Sequence, residues 1–108
     1  MAEAYKVLGQ QNPSATTLTT LYAVPAATSV VSSSVVICNR SVATSFRLSV
    51  AVAGAADDNK QYLFYDTAIN ANETQTYTLG ITLAATDVVR CYATLATLTF
   101  SLFGTEIT

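Results

Sequence analysis

Apolar and polar residues alternate along most of this chain, and many of the apolar positions carry β-branched side chains. The clearest case is residues 46–53, where Phe46, Leu48, Val50 and Val52 fall on one face of a strand. A period of two predicts strands, and β-branched residues favour the same state. No stretch keeps a helical period long enough to compete, because the short alanine-rich pieces are broken by Gly, Thr and Asp.

The same alternation predicts a series of short strands separated by turn residues. They cover residues 18–24, 30–39, 46–53, 61–66, 74–79, 88–93 and 98–103, with a short apolar piece at 81–83 and a tail at 105–108 after Gly104. Residues 35–38 are apolar on both faces, which is typical of a central strand covered from both sides. Seven or eight strands, spaced by about 8–14 residues, predict a single all-β domain of β-sandwich or jelly-roll type.

The first part of the chain has a different pattern. It contains Gly9, Pro13 and a polar run over residues 10–17. We therefore predict an extended N-terminal arm over residues 1–17, with one strand at 5–8, followed by a β-sandwich domain over 18–108.

Composition excludes several classes of function. Apolar residues make up 51% of the chain and charged residues only 11%, with a formal net charge of −2. Five Lys and Arg side chains are too few for a nucleic-acid interface. No apolar run approaches the ~20 residues of a membrane-spanning helix. The absence of histidine excludes a Ser-His-Asp triad and a His-rich zinc site. No other set of residues forms a convincing reactive site, so we expect no enzyme, no metal and no cofactor.

The scarcity of charge points towards protein contacts. A surface of Thr, Ser, Ala and exposed apolar groups favours association. The sequence therefore predicts extensive protein–protein contact and a homo-oligomer, either a dimer or a trimer. Composition leaves one alternative open, a small rigid secreted β domain.

Two cysteines and a few acidic groups are the remaining candidates for chemistry. Cys38 and Cys91 have no CxxC spacing, so we expect free, buried thiols, with a disulfide as the alternative if their strands face each other. Asp57 and Asp58 lack the alternating ligand register of a Ca²⁺ loop. Asp87 is expected to cap a turn with its side chain.

Aromatic and arginine side chains are enriched in protein interfaces, and several stand on predicted strands in uncharged surroundings. Tyr62 and Tyr65 belong to the densest aromatic cluster, which is expected in the core or at an interface. Arg47 and Arg90 each project from an apolar strand, where each could pair with a carboxylate on a neighbouring strand or form an interface contact. The same tyrosines could instead form a platform for sugars. The candidate interface residues are Tyr5, Val7, Leu8, Arg47, Tyr62, Tyr65, Tyr77 and Arg90.

A series of short blocks also carries a resemblance that covers nearly the whole chain. The blocks are residues 5–10, 20–26, 36–40, 54–56, 60–62, 65–66, 80–83, 85–88, 100–104 and 106–107, and the chain ends in Phe103-Gly104-x-Glu106-Ile107. Together they resemble a group of small virion structural proteins of tailed bacteriophages, including phages of cyanobacteria.

The resemblance implies a capsid cement or decoration protein and supplies no catalytic motif. Its partners would be the major capsid protein or other virion proteins. It would be found on the capsid surface of the virion, and in the host cytoplasm during assembly. We keep two alternatives: a tail, neck or baseplate component, and a carbohydrate-binding module for host attachment.

Overall fold

The computed structural model describes residues 2–108, and strands account for most of this range. The described residues form nine strands: β1 (Glu3–Gln11), β2 (Thr19–Ala23), β3 (Ser29–Asn39), β4 (Thr44–Ala51), β5 (Tyr62–Ile69), β6 (Thr74–Tyr77), β7 (Ile81–Leu83), β8 (Val88–Ala93) and β9 (Leu98–Ile107). Two 3₁₀ turns, Val52–Gly54 and Asn59–Gln61, lie between β4 and β5. The predicted all-β class is confirmed.

The strands form two antiparallel sheets. Sheet A has the order β1-β9-β3-β6, with β7 also pairing with β3, and sheet B has the order β2-β8-β4-β5. The pairs are nested: β4 with β5, β3 with β6 and β7, β2 with β8, and β1 with β9. This is the ladder of one long hairpin that turns between β4 and β5, rolled so that successive strand pairs alternate between sheet B and sheet A. Because β6 and β7 act as one interrupted strand, the arrangement is that of a jelly roll.

The core lies between the two sheets and is filled by the inward-facing residue of each alternation. Phe46 on β4 and Phe100 on β9 are both fully buried, and their rings meet edge to face across the sandwich, 6.1 Å between centroids. Ile37, Leu48 and Leu102 are also fully buried around them. Burial of this apolar surface is the main force that holds the sheets together.

The N-terminal segment differs from the extended arm that we predicted for residues 1–17. Within the described residues, β1 pairs with β9 along its length, from Glu3 opposite Ile107 to Gln11 opposite Phe100. The pairing exists because β9 continues through Gly104, so residues predicted as a tail form the end of a strand. Met1, also assigned to the arm, lies outside the described residues.

The third predicted strand ends earlier than the alternation suggested. Strand β4 stops at Ala51, and Val52 is 72% exposed instead of inward-facing. Ala53 adopts a left-handed conformation with φ 55°, which turns the chain out of the sheet. Asp87 stabilises this bend, since its Oδ1 accepts a hydrogen bond from the Ala53 N–H and its Oδ2 accepts one from the Ala84 N–H, both 2.9 Å. Asp87 thus has the capping role that we expected.

A small polar cluster joins the two sheets beneath β1. Tyr22 on β2 donates its hydroxyl to Glu106 on β9, and Lys6 on β1 donates to the same carboxylate at 3.0 Å. The hydrogen bond from Tyr22 and that from Lys6 lower the pKa of Glu106 below its usual value. Burial and the neighbouring carboxylate raise the pKa of Tyr22. The ionised carboxylate and the neutral phenol are therefore the forms that stabilise this corner.

We predict that Tyr22→Phe lowers the free energy of unfolding at pH 7 by about 2 kcal/mol, since it removes a hydrogen bond to a charged acceptor. A lowered carboxyl pKa contributes stability above the unfolded-state pKa and loses it as the pH falls through the folded-state value. The deficit of Tyr22→Phe should therefore shrink below about pH 4. Urea unfolding at a series of pH values measures both effects.

Thr28→Val is the matched control for this experiment. The buried Thr28 hydroxyl donates to the neutral Ala26 carbonyl at 3.1 Å. Its loss should cost about 1 kcal/mol, independent of pH in the acid range. Equal pH profiles for the two variants would contradict the assigned role of Glu106.

Several tight turns rest on residues that disfavour the left-handed conformation. Thr86 is one of two exposed, β-branched residues in this conformation, with φ 71°, and Thr16 is the other. Thr86 occupies the third position of a turn closed by a hydrogen bond from the Asp87 N–H to the Ala84 carbonyl, 3.1 Å. Glycine adopts this conformation without a steric penalty.

We predict that Thr86→Gly raises the free energy of unfolding by about 1 kcal/mol, because relief of strain outweighs the added freedom of the unfolded chain. Ala85→Gly, in the same turn but without a positive φ, should instead destabilise by about 0.5–1 kcal/mol. Thermal and urea unfolding of the two variants provide the comparison. A loss of stability in Thr86→Gly would show that the turn is not strained.

Candidate functional site

The outer face of sheet A is an almost uncharged surface. Strand alternation and register place on it hydroxyl, amide and apolar side chains from β1, β3, β6 and β9: Tyr5, Val7, Gln10, Val31, Val36, Cys38, Thr74, Thr76, Thr99, Ser101, Phe103 and Thr105. The one charged side chain that register places among them is Glu3, at the end of β1. Its carboxylate accepts a hydrogen bond from the Tyr5 hydroxyl at 3.1 Å.

The middle of this face is apolar and its surroundings are rich in hydroxyls. Val7 and Phe103 lie side by side on paired strands, and Val36 lies opposite both Ser101 and Thr76. Tyr5 is 80% exposed and Val7 46%. A flat patch of this kind combines apolar area with hydrogen-bonding groups that carry no charge.

The apolar residues 35–38 predicted a central strand covered from both sides, and the structure confirms the central position only. Strand β3 is a central strand of sheet A, between β9 on one side and β6 and β7 on the other. Its inward side chains Val35 and Ile37 are buried. Its outward side chains Val36 and Cys38 remain partly exposed, because nothing within the described chain covers this side of the sheet.

The outer face of sheet B has a different character, dominated by Arg47. The Arg47 guanidinium lies between the rings of Tyr65 and Tyr92, 4.1 and 4.4 Å from their centroids. Its Nε donates to Asp66 Oδ1 at 2.7 Å and its Nη2 to Asp66 Oδ2 at 3.3 Å. The hydrogen bond to Asp66 raises the pKa of this guanidinium. Stacking between the two rings and the bidentate bond to Asp66 hold the Arg47 side chain against sheet B of its own chain.

Tyr62 and Tyr65 lie together, although strand alternation predicted them on opposite faces. Leu63 is an extra residue at a register shift in β5, and it brings Tyr62 to the side of Tyr65. Their rings meet at 85° with centroids 5.0 Å apart, and they line a shallow depression with Asn59. The Tyr62 hydroxyl donates to Asp57 at 2.9 Å, and burial followed by this bond raises its pKa. A sugar stacks on a free aromatic face, and Arg47 already covers one face of Tyr65. The depression therefore offers less stacking surface than two free tyrosines would.

Three of the predicted interface residues have internal roles. Leu8 is 8% exposed and belongs to the core, because strand alternation places it on the face of β1 opposite to Val7. Tyr77 packs on Phe64 with 4.6 Å between centroids. Arg90 donates to the carbonyl oxygens of Ala55 and Gly54 at 2.9 and 3.3 Å, and so holds the loop after β4.

The structure thus separates the eight candidates. Tyr5 and Val7 lie on the outer face of sheet A, whereas Arg47, Tyr62 and Tyr65 lie on that of sheet B. Sequence reasoning missed the part played by Phe103. The alternation of β9 could have revealed it, because the residues that alternate with the core positions Leu98, Phe100 and Leu102 all face outward.

Both cysteines are free thiols, as expected, and no disulfide joins them. Cys91 is buried, and burial raises its pKa to about 12, which keeps the thiol protonated and unreactive. Cys38 is only partly buried, since it faces outward from sheet A. Its predicted burial is therefore wrong within the single chain.

No group of three or more His, Cys, Asp or Glu side chains within residues 2–108 is arranged to hold a metal ion. The same residues contain no helix with the length and apolar character needed to span a membrane. Comparison with protein-family models, curated proteins and solved structures finds no match to this chain. Function is therefore inferred from the surfaces themselves.

We predict that Arg47→Lys lowers the free energy of unfolding by about 1 kcal/mol, because lysine cannot form the fork to Asp66 and stack between two rings. Arg40→Lys is the control, since Arg40 is exposed and makes a single bond to the Ala96 carbonyl at 3.2 Å. Its effect should stay within about 0.5 kcal/mol. Equal effects in urea unfolding would show that the stacked arrangement adds no stability.

Proposed function

We propose that this protein is a structural adhesion protein of a virus particle, and specifically a capsid cement protein. It would bind the outer surface of the major capsid protein lattice through the outer face of sheet A and stabilise the shell. The observation that carries the proposal is the almost complete lack of charge on this broad face, in a chain whose charged groups lie elsewhere.

An uncharged sheet face suits a protein partner because of the cost of desolvation. Burying an unpaired charge is expensive, and the centres of protein interfaces are depleted in charged residues. Val7, Val36 and Phe103 supply apolar area, and Ser101 and Thr76 supply hydroxyls that can donate or accept hydrogen bonds. Among the residues that the structure describes, register places no Lys or Arg on this face to hold a phosphate backbone, which argues against a nucleic-acid partner.

The pattern of β3 supports a covered outer face. Its apolar residues on both sides are those of a strand buried from both directions, yet Val36 and Cys38 are partly exposed in the single chain. A docked partner would complete their burial. The face also belongs to a paired sheet, so binding would order few additional groups and would lose little conformational entropy.

The virion setting rests on the resemblance to small structural proteins of tailed bacteriophages. The jelly roll is compatible with it, because this architecture occurs in viral capsid and lectin domains, although fold alone does not determine function. Repetition around a symmetric lattice would convert modest single-site affinity into stable attachment. The same surface chemistry would suit a tail, neck or baseplate component.

We expect Ser101→Lys to weaken attachment to particles that lack the protein by roughly 100-fold or more, since it places an unpaired charge in the centre of the docking face. Ala68→Lys, exposed on the outer face of sheet B, is the matched control and should bind like the unaltered protein. Co-sedimentation with purified capsids, and separately with purified tails, measures attachment.

Binding to capsids supports the cement role, and binding to tails alone would replace it with the tail role. Loss of binding in Ala68→Lys but not in Ser101→Lys would assign docking to sheet B. Binding to neither particle would overturn the proposed function.

A further inference from the structure

Strand β1 has one side that no other strand within residues 2–108 uses. It pairs with β9 on one side only, and its residues from Glu3 to Val7 are all exposed. Ala2 and Thr108 exchange both backbone hydrogen bonds, 2.8 Å each. Because bonding alternates along an antiparallel ladder, Ala4 and Lys6 direct their backbone groups to β9. Glu3, Tyr5 and Val7 therefore direct theirs to the open edge.

The other sheet edges are interrupted in ways that discourage pairing. The edge formed by β6 and β7 breaks at Gly80, and β5 is distorted at Asp66, whose φ is 49°. Strand β2 has a bulge between Thr20 and Tyr22 and is followed by Pro25. Irregularities of this kind are the usual protection of an edge strand. On β1 the bulge comes only after Val7, which leaves residues 3–7 regular.

We propose that β1 pairs antiparallel with β1 of a second copy of this chain, about a twofold axis that passes through Tyr5 normal to the sheet. Tyr5 then lies opposite Tyr5 of the second copy, and Glu3 lies opposite its Val7. Glu3, Tyr5 and Val7 each have backbone N–H and C=O groups without a partner strand, and each then lies opposite a residue of the second copy with the same groups free. The edge is therefore complementary to itself.

Charge favours this register over the alternative in which the twofold axis passes through Lys6. A twofold axis through Lys6 would set two lysines opposite each other, and like charges in that position destabilise a sheet. With the axis through Tyr5, each Lys6 lies opposite Ala4 of the other copy and keeps its bond to Glu106. The pairing also covers Tyr5, which is 80% exposed and makes no core contact.

The dimer extends the surface described above. Because the axis is normal to the sheet, the outer faces of the two A sheets lie on the same side and form one continuous surface. The inference deepens the proposed function by doubling the docking face, but the dimer itself does not depend on that function.

A charge exchange at Tyr5 tests both the dimer and its register. The variants Tyr5→Lys and Tyr5→Glu are each made together with Glu3→Gln, so that Glu3 does not neutralise the new lysine. Each variant alone places like charges opposite each other, and its dimer dissociation constant should rise by roughly tenfold or more. An equimolar mixture should restore a heterodimer. Light scattering after size exclusion and sedimentation velocity measure the masses.

Two controls keep the result specific. Glu3→Gln alone should remain a dimer, and so should Ser101→Lys, which alters the same face on β9. Circular dichroism and urea unfolding establish that the Tyr5 variants stay folded, as their exposed position predicts.

A monomeric unaltered protein at concentrations of hundreds of micromolar would overturn the proposal, as would a dimer that both Tyr5 variants leave intact. A mixture that fails to restore dimers would overturn the register. Particle binding that survives in the monomeric variants would leave the docking function standing, so the two proposals can fail separately.

Discussion

The position of β9 between β1 and β3 is the constraint on which the rest of the structure depends. Its inner side chains Leu98, Phe100 and Leu102 are completely buried in the centre of the core. Because side chains alternate, the same strand must present Thr99, Ser101 and Phe103 on the opposite side. The packing of the core therefore also decides what lies in the middle of the outer face, and the candidate docking surface is a consequence of the fold.

The few charged groups act mainly within the chain. Glu106 joins Lys6 and Tyr22 at one corner, Asp66 holds Arg47, and Arg90 bonds to the carbonyls of the loop after β4. Because these groups are paired at a corner, in a loop and on the outer face of sheet B, they leave the outer face of sheet A uncharged except for Glu3. The uncharged outer face and the internal polar contacts both result from where the charged residues lie in the fold.

The strands were predictable because local alternation reports which residues face the core. Strand β8 lies at the predicted residues 88–93, and β3 differs by one residue at its start. The predicted strand ends were wrong where pairing with a strand far away in the sequence determines them. Glycine at 104 suggested an end, but β1 and β3 pair with β9 on both sides of it and carry the strand on to Ile107. The supposed N-terminal arm became a strand for the same reason.

The interface candidates show a similar division. The sequence could not decide whether Arg47 pairs with a carboxylate or faces a partner, and the structure shows it bonded to Asp66 and stacked between two aromatic rings. Val7 and Leu8 were both interface candidates, but they face opposite sides of β1, so that Leu8 lies in the core. The sequence by itself determined the all-β class, the strand positions and the low charge, because these follow from neighbouring residues. Only the tertiary structure decided which residues share a face and which edge stays open, because both depend on pairing between strands up to a hundred residues apart.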